Sequence, residues 1–155
     1  MLKHLIKLVS PGHFLTKSET KILMTRVAEF ENETGCQLLF HFRRKLGVSP
    51  LETNRELFFK FKLNETKHHN AILVTLALAE KKFAIWADEG VIRKTGDKLW
   101  HEVSRAMSKS MSHGQHLGAL LEAMDISQQV LALEQPQDLR SEGNELPNNP
   151  LIEDE

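Results

Sequence analysis

The stretch Ala71-Ile72-Leu73-Val74-Thr75-Leu76-Ala77-Leu78 constrains the fold more than any other part of the chain. It is apolar at odd and even positions alike. Successive side chains of a strand point to opposite faces, so a strand of this kind has to be covered on both sides. Ala79-Glu80-Lys81-Lys82 then turns the chain, and Phe83-Ala84-Ile85-Trp86-Ala87 returns, again apolar on both faces. The two runs read as an antiparallel hairpin. With its turn centred on Glu80-Lys81, the hairpin sets Leu73 opposite Asp88 and Asn70 close to Val91.

The covering layers have to come from the flanks. Thr16-Lys17-Ser18-Glu19 is a capping box, a hydroxyl to cap a helix and a glutamate three residues on. Ile22, Leu23, Val27 and Phe30 follow at helical spacing, and Gly35 is a natural stop. This predicts a helix over 17–34. Cys36 to Phe42 reads as a strand, and Ser49-Pro50 opens a second helix carrying Leu51, Leu57, Phe58 and Phe61. Asn64 to Asn70 is a polar loop. Beyond the hairpin, Leu99, Trp100, Val103, Met107 and Met111 mark one helix, and Leu117, Leu120, Leu121 and Met124 another. Met1 to Val9 suggests a short amphipathic lead-in, stopped by Pro11-Gly12. The order strand, helix, strand ahead of the hairpin is a crossover, which makes the first two strands parallel. The expected fold class is therefore α/β: a three-layer α/β/α sandwich, with a small mixed β-sheet and helices on both faces.

Chain length suits one domain, placed at 1–133. From Glu134 to Glu155 the chain is polar, acidic and proline-bearing, with seven acidic residues and one basic. Such a segment buries too little to offset its ordering entropy, so 134–155 is expected to be a mobile tail. The overall charge is −1, which leaves a modest positive balance on the body. No dense Lys/Arg run with interleaved aromatics is present, which argues against nucleic acid as a partner. His41-Phe42-Arg43-Arg44-Lys45 is read as a solvated strand end. The single cysteine, Cys36, cannot form an internal disulfide and sits in an apolar run, so a buried inert thiol is expected. The N-terminal run is broken by charges, and no stretch approaches the ~20 apolar residues of a membrane span. A cytoplasmic protein without a membrane span is the expectation.

The chemistry-bearing residues gather where the return strand ends. Asp88, Glu89 and Gly90 follow it directly, and Asp97 leads into the next helix. The hairpin brings the polar loop with Asn64, Glu65, Thr66, His68, His69 and Asn70 towards them. Carboxylates and carbonyls of this kind suit Ca²⁺ or Mg²⁺. The plainer reading makes Asp88-Glu89-Gly90 a polar exit turn and Asp97 a helix N-cap. The spacing is not that of an EF-hand. His68 and His69 are adjacent and point apart in an extended loop. His113 and His116 are three apart with no third ligand in view. Arg93 and Lys94 read as solvated surface, and His101 as the exposed side of its helix.

"NAILVTLALAEKKFAIWADEGV" followed by "DKLWHEV" resembles the TPM domain family, as does the capped first helix ending in "ENETG". The resemblance covers about Phe14 to Leu133. It implies the sandwich derived above, a Ca²⁺ or Mg²⁺ site in some members at the acidic end of the sheet, and, for the plant lumenal branch, a phosphatase activity that the family label carries. The acidic loop matches at Asp88, Glu89 and Gly90. Thr95-Gly96-Asp97 stands where short bacterial forms often carry Pro-x-Asp/Glu. The metal ligands expected are Asp88, Glu89 and Asp97, and the function expected is a non-catalytic divalent-cation-binding or protein-interaction module with an unknown protein partner. The alternative is a metal-dependent phosphatase, although neither a Cys-x5-Arg nor an Asp-x-Asp nucleophile motif is present.

Overall fold

Helix α1, Lys17–Thr34, begins where the capping box predicts. The Thr16 hydroxyl accepts the Glu19 N–H at 3.0 Å, and the Glu19 carboxylate takes the Thr16 N–H in return. It ends at Gly35, whose φ of 75° is left-handed. The remaining elements are β1 (Gln37–Arg43), α2 (Pro50–Lys60), a 3₁₀ turn at Leu63–Glu65, β2 (Ala71–Ala77), β3 (Lys82–Ala87), α3 (Glu89–Thr95), α4 (Lys98–Ser112), α5 (His116–Glu134) and β4 (Leu151–Ile152). The computed structural model describes residues 15–134 and 150–153. The expected lead-in at 1–9 lies outside them.

The sheet order is β3-β2-β1-β4, with β1 parallel to both β2 and β4, and β2 antiparallel to β3. Every residue of β2 is buried, as a doubly apolar inner strand requires. Alternation then divides the core. Leu38, Phe40, Phe42, Ile72, Val74 and Leu76 meet Leu23, Val27 and Phe30 of α1, Val103 and Met107 of α4, and Leu120 and Met124 of α5. Leu39, Ala71, Leu73 and Ala84 face the other way, against Leu57 and Phe58 of α2 and Leu63. Helices on both faces of a mixed sheet make this the expected three-layer α/β/α sandwich. Cys36 is fully buried. Among the described residues, no helix is long and apolar enough to cross a membrane.

The structure departs from the sequence reading at several points. The hairpin register pairs Leu73 with Trp86 rather than with Asp88. The turn sits earlier, and the shift of two residues keeps every side chain on its expected face. β3 lies at the sheet edge, so its doubly apolar run is not fully covered on both sides: Trp86 is half-buried, its ring tilted against Phe58 and beneath the Arg55 guanidinium. Finally, Leu151–Ile152, within the segment expected to be a mobile tail, pairs with His41 and Phe42 of β1. Leu151 is buried in the second core cluster, and the Glu153 N–H bonds the Phe42 carbonyl at 2.9 Å. Backbone pairing along the edge of β1 and the burial of Leu151 oppose the polar composition around them.

Candidate functional site

At the end of β3 the chain turns directly into a helix. The Asp88 N–H bonds the Ala71 carbonyl at 2.9 Å, which makes Asp88 the last rung of the hairpin. The same residue is the N-cap of α3: Oδ1 accepts the Glu89 N–H at 2.8 Å, and its carbonyl accepts from Val91 and Ile92. A carboxylate therefore follows the apolar edge strand partly for the ordinary reason that a helix start leaves N–H groups to be satisfied. The expected acidic loop is in fact a short helix.

Capping uses one oxygen of Asp88. The other, Oδ2, is buried and has no hydrogen-bond partner among the described residues. It lies 3.4 Å from Nδ1 of His69, close but outside hydrogen-bond geometry. The residue as a whole is only 7% exposed.

The 66–70 loop packs against this carboxylate. Thr66 Oγ1 accepts the Asn70 N–H at 3.2 Å, and the Thr66 carbonyl accepts the His69 N–H. The Asn70 side-chain amide donates to the Gly35 carbonyl, which ties the loop to the end of α1. Asn70 Oδ1 is a second buried oxygen without a hydrogen-bond partner among the described residues. Gly90 closes the arrangement. Its N–H bonds the His69 carbonyl at 2.8 Å, and a Cβ there would strike the carbonyl oxygens of both His68 and His69. Glycine is demanded here by close backbone approach.

The other expected ligands stand apart. Glu89 is exposed, and its carboxylate lies 3.4 Å from the Arg93 guanidinium one turn on. Asp97 is exposed at the head of α4 and makes no side-chain capping bond. Among the described residues, no three His, Cys, Asp or Glu side chains are grouped so as to hold a metal ion. Asp88, Glu89 and Asp97 are therefore not brought together as a set, whereas Asp88 and the 66–70 loop are. His113 caps the end of α4 and His116 starts α5, so they do not share one helix.

A second polar cluster corrects the sequence reading, which made His41 and Phe42 part of a solvated strand end although both are buried. His41 is fully buried in β1, with Nδ1 3.1 Å from Thr75 Oγ1, its register partner on β2. Its Nε2–H donates to Glu153 Oε1 at 3.0 Å, and Arg43 approaches the same oxygen at 3.4 Å. The hydrogen bond from His41 holds the Glu153 carboxyl below its usual range against the opposing effect of burial, helped by the charges of His41, Arg43 and Lys60. The readable signal was a pair of polar residues, His41 and Thr75, each flanked by apolar neighbours in its strand. The acid that completes the cluster lies 112 residues from His41.

The family model described as the TPM domain matches residues 8–130. The NMR structure of the BA42 protein from the psychrophilic bacterium Bizionia argentinensis aligns with a TM-score of 0.83 at 23% identity, over 91% of this chain and 97% of that one. The solution NMR structure of the N-terminal domain of a P. gingivalis protein aligns with a TM-score of 0.65 at 17% identity, over 76% of each chain. At these identities the likeness to the two structures is one of fold. No curated protein matches the chain.

Proposed function

The chain belongs to the TPM domain family, and on that premise we propose that it is a non-catalytic module that binds a divalent cation, Ca²⁺ or Mg²⁺, and acts through a protein partner in the cytoplasm. The cation is assigned to the end of the sheet where Asp88 meets the 66–70 loop. One observation carries the reading: Asp88 Oδ2 is buried without a hydrogen-bond partner among the described residues. A carboxylate oxygen left in that condition is costly, and a cation offsets the cost. The donor chemistry fits a hard ion, since the Asp88 carboxylate oxygen and the Asn70 amide oxygen of the adjoining loop are both buried without a hydrogen-bond partner among the described residues. Asp88 is the fixed ligand, anchored by the β2–β3 ladder. Glu89 and Asp97, both exposed, are the ligands that have to move in. So few fixed donors imply affinity at the micromolar-to-millimolar end of the scale.

The alternative, a metal-dependent phosphatase, requires an activated nucleophile or metal-bound water beside cations that hold the phosphoryl group. Arg93 faces Glu89 on its own helix, and no observation favours this alternative over the binding module. Amide-resolved NMR titration with Ca²⁺, Mg²⁺ and inorganic phosphate, on the parent, Asp88→Asn and Asp97→Asn, tests the proposal. Metal-dependent shifts at 66–70 and 88–90 are expected in the parent, lost in Asp88→Asn and weakened in Asp97→Asn. An equal response in all three, or none in the parent, refutes the cation site. Turnover of an aryl phosphate that disappears in Asp88→Asn would promote the phosphatase.

A further inference from the structure

β3 is an open edge, and its outward backbone groups can be identified. The bond from the Asp88 N–H to the Ala71 carbonyl fixes the phase of the ladder. In an antiparallel pair, alternate residues bond to the neighbour and the residues between them turn N–H and C=O outward. With the register Ile72↔Ala87 to Ala77↔Lys82, residues Lys82, Ala84 and Trp86 bond to β2. Phe83, Ile85 and Ala87 therefore present their backbone groups to the outer side, where no strand pairs among the described residues.

This edge does not stand free. It forms the floor of a groove of about 840 Å³, walled by Pro50 and Leu51 of α2 on one side and by Trp100, His101 and Ser104 of α4 on the other. Leu51 is 57% exposed, and one turn beyond Arg55 on the same stripe of α2 Phe59 is also exposed. Natural sheets usually blunt an exposed edge with charge, proline or a bulge. Here only Lys82 at the start of β3 does so, while Phe83, Ile85 and Trp86 remain half-exposed.

We propose that this groove binds an extended, acidic peptide segment of a partner protein, which adds to β3 as a further antiparallel strand. Main-chain bonds to Phe83, Ile85 and Ala87 would hold it, and its alternate side chains would fall against Trp86 and Leu51 on one face and Trp100 on the other. Two arguments select this occupant. The first is charge. Lys81 and Lys82 are exposed at the head of the strand, and Arg55 lies over Trp86. Glu80, the acid of the turn, is engaged by the Leu46 and Gly47 N–H groups, and Lys82 reaches the Gly47 carbonyl with one of its donors. Asp97 is the acidic residue of the groove lining. Antiparallel addition places the peptide's C-terminal end over Lys81 and Lys82, and that is where its acidic residues belong. The second argument is shape. Paired strands lie about 4.8 Å apart. A second copy would carry its own α2 and α4 beside its β3, and these would meet the groove walls before the strands came that close, whereas a lone segment fits between them.

The test selects peptides from a random display library on the full chain, then follows the best synthetic peptide by amide hydrogen exchange and anisotropy. At peptide concentrations about a hundredfold above the dissociation constant, exchange at Phe83, Ile85 and Ala87 is expected to slow about a hundredfold. Exchange at Ala84 and Trp86, already bonded to β2, is expected to change little. Ile85→Pro removes an outward N–H that the β2 ladder does not use, and is expected to weaken binding at least about tenfold with the fold retained. Lys81→Glu with Lys82→Glu gives an independent reading and is expected to weaken acidic peptides by a similar factor. Failure to enrich any peptide, or binding that leaves those three amides unprotected, overturns the proposal. So does concentration-dependent protection of the same amides without peptide, accompanied by dimer in sedimentation, because that would make a second copy the occupant.

Discussion

Replacing Glu31 with glutamine is expected to stabilise the protein, and increasingly so as pH rises. Glu31 lies in the last turns of α1 and is 8% exposed. Its Oε2 accepts the Leu38 N–H at 2.8 Å, at an end of β1 that β4, paired only at His41 and Phe42, does not reach. Burial pushes the Glu31 carboxyl up from 4.5 to about 8, with the Leu38 bond opposing in part. Between those values the folded chain holds a proton that the unfolded chain has released. The contribution to stability is therefore complete below the unfolded value, is lost as pH rises towards the folded value, and is constant above it. Each pH unit in that window removes ~1.4 kcal/mol, so the full loss is on the order of 5 kcal/mol. Glutamine keeps the neutral shape and the acceptor for Leu38 but cannot ionise. Urea unfolding of the parent and Glu31→Gln, taken from about pH 5 to about pH 9.5, should give a stability difference that grows by ~1.4 kcal/mol per unit and then levels above about pH 8. Most other titrating groups cancel in that difference. A difference that stays flat with pH would mean that Glu31 is ionised in the folded protein and that burial does not control it.

Ending the chain after Leu133, harmless on composition, should instead cost on the order of 3–5 kcal/mol, because it removes buried Leu151 and the Glu153 carboxylate that bonds His41. Denaturant unfolding of the truncated chain measures this, and a loss under about 1 kcal/mol would mean that β4 contributes little in solution. Gly90→Ala should destabilise by about 2 kcal/mol or more, since the atoms it strikes are the backbone carbonyls of His68 and His69, which cannot rotate away. Its amide spectrum should change at 66–70, and an unchanged loop at parental stability would refute the close approach. For the cation site, a thermal shift following RT ln(1 + [L]/Kd) is expected only at high Ca²⁺ or Mg²⁺ and should vanish in Asp88→Asn.

Local patterns, which depend on neighbouring residues, carried much of the fold. The capping box at Thr16, the stop at Gly35, the proline opening α2 and the doubly apolar run from Ala71 are short-range signals, and each sits in the structure where the sequence put it. Together they require a mixed sheet covered on both faces. The meeting of Asp88 with the 66–70 loop was also legible, because a hairpin has to bring its two ends together even when the register slips by two. What the chain could not show in advance is which oxygen of Asp88 is consumed by capping, that Gly90 is pressed against two carbonyls, and that Glu89 turns to Arg93. Those depend on how α3 leaves the sheet, a matter of packing and not of period. The same holds for Glu31, Glu153 and Leu151. A buried acid, and a strand of two residues in a polar tail, have no local pattern that marks them. Their environment is built by elements distant in the chain, so only the tertiary structure decides their burial, their partners and, for the two acids, their charge.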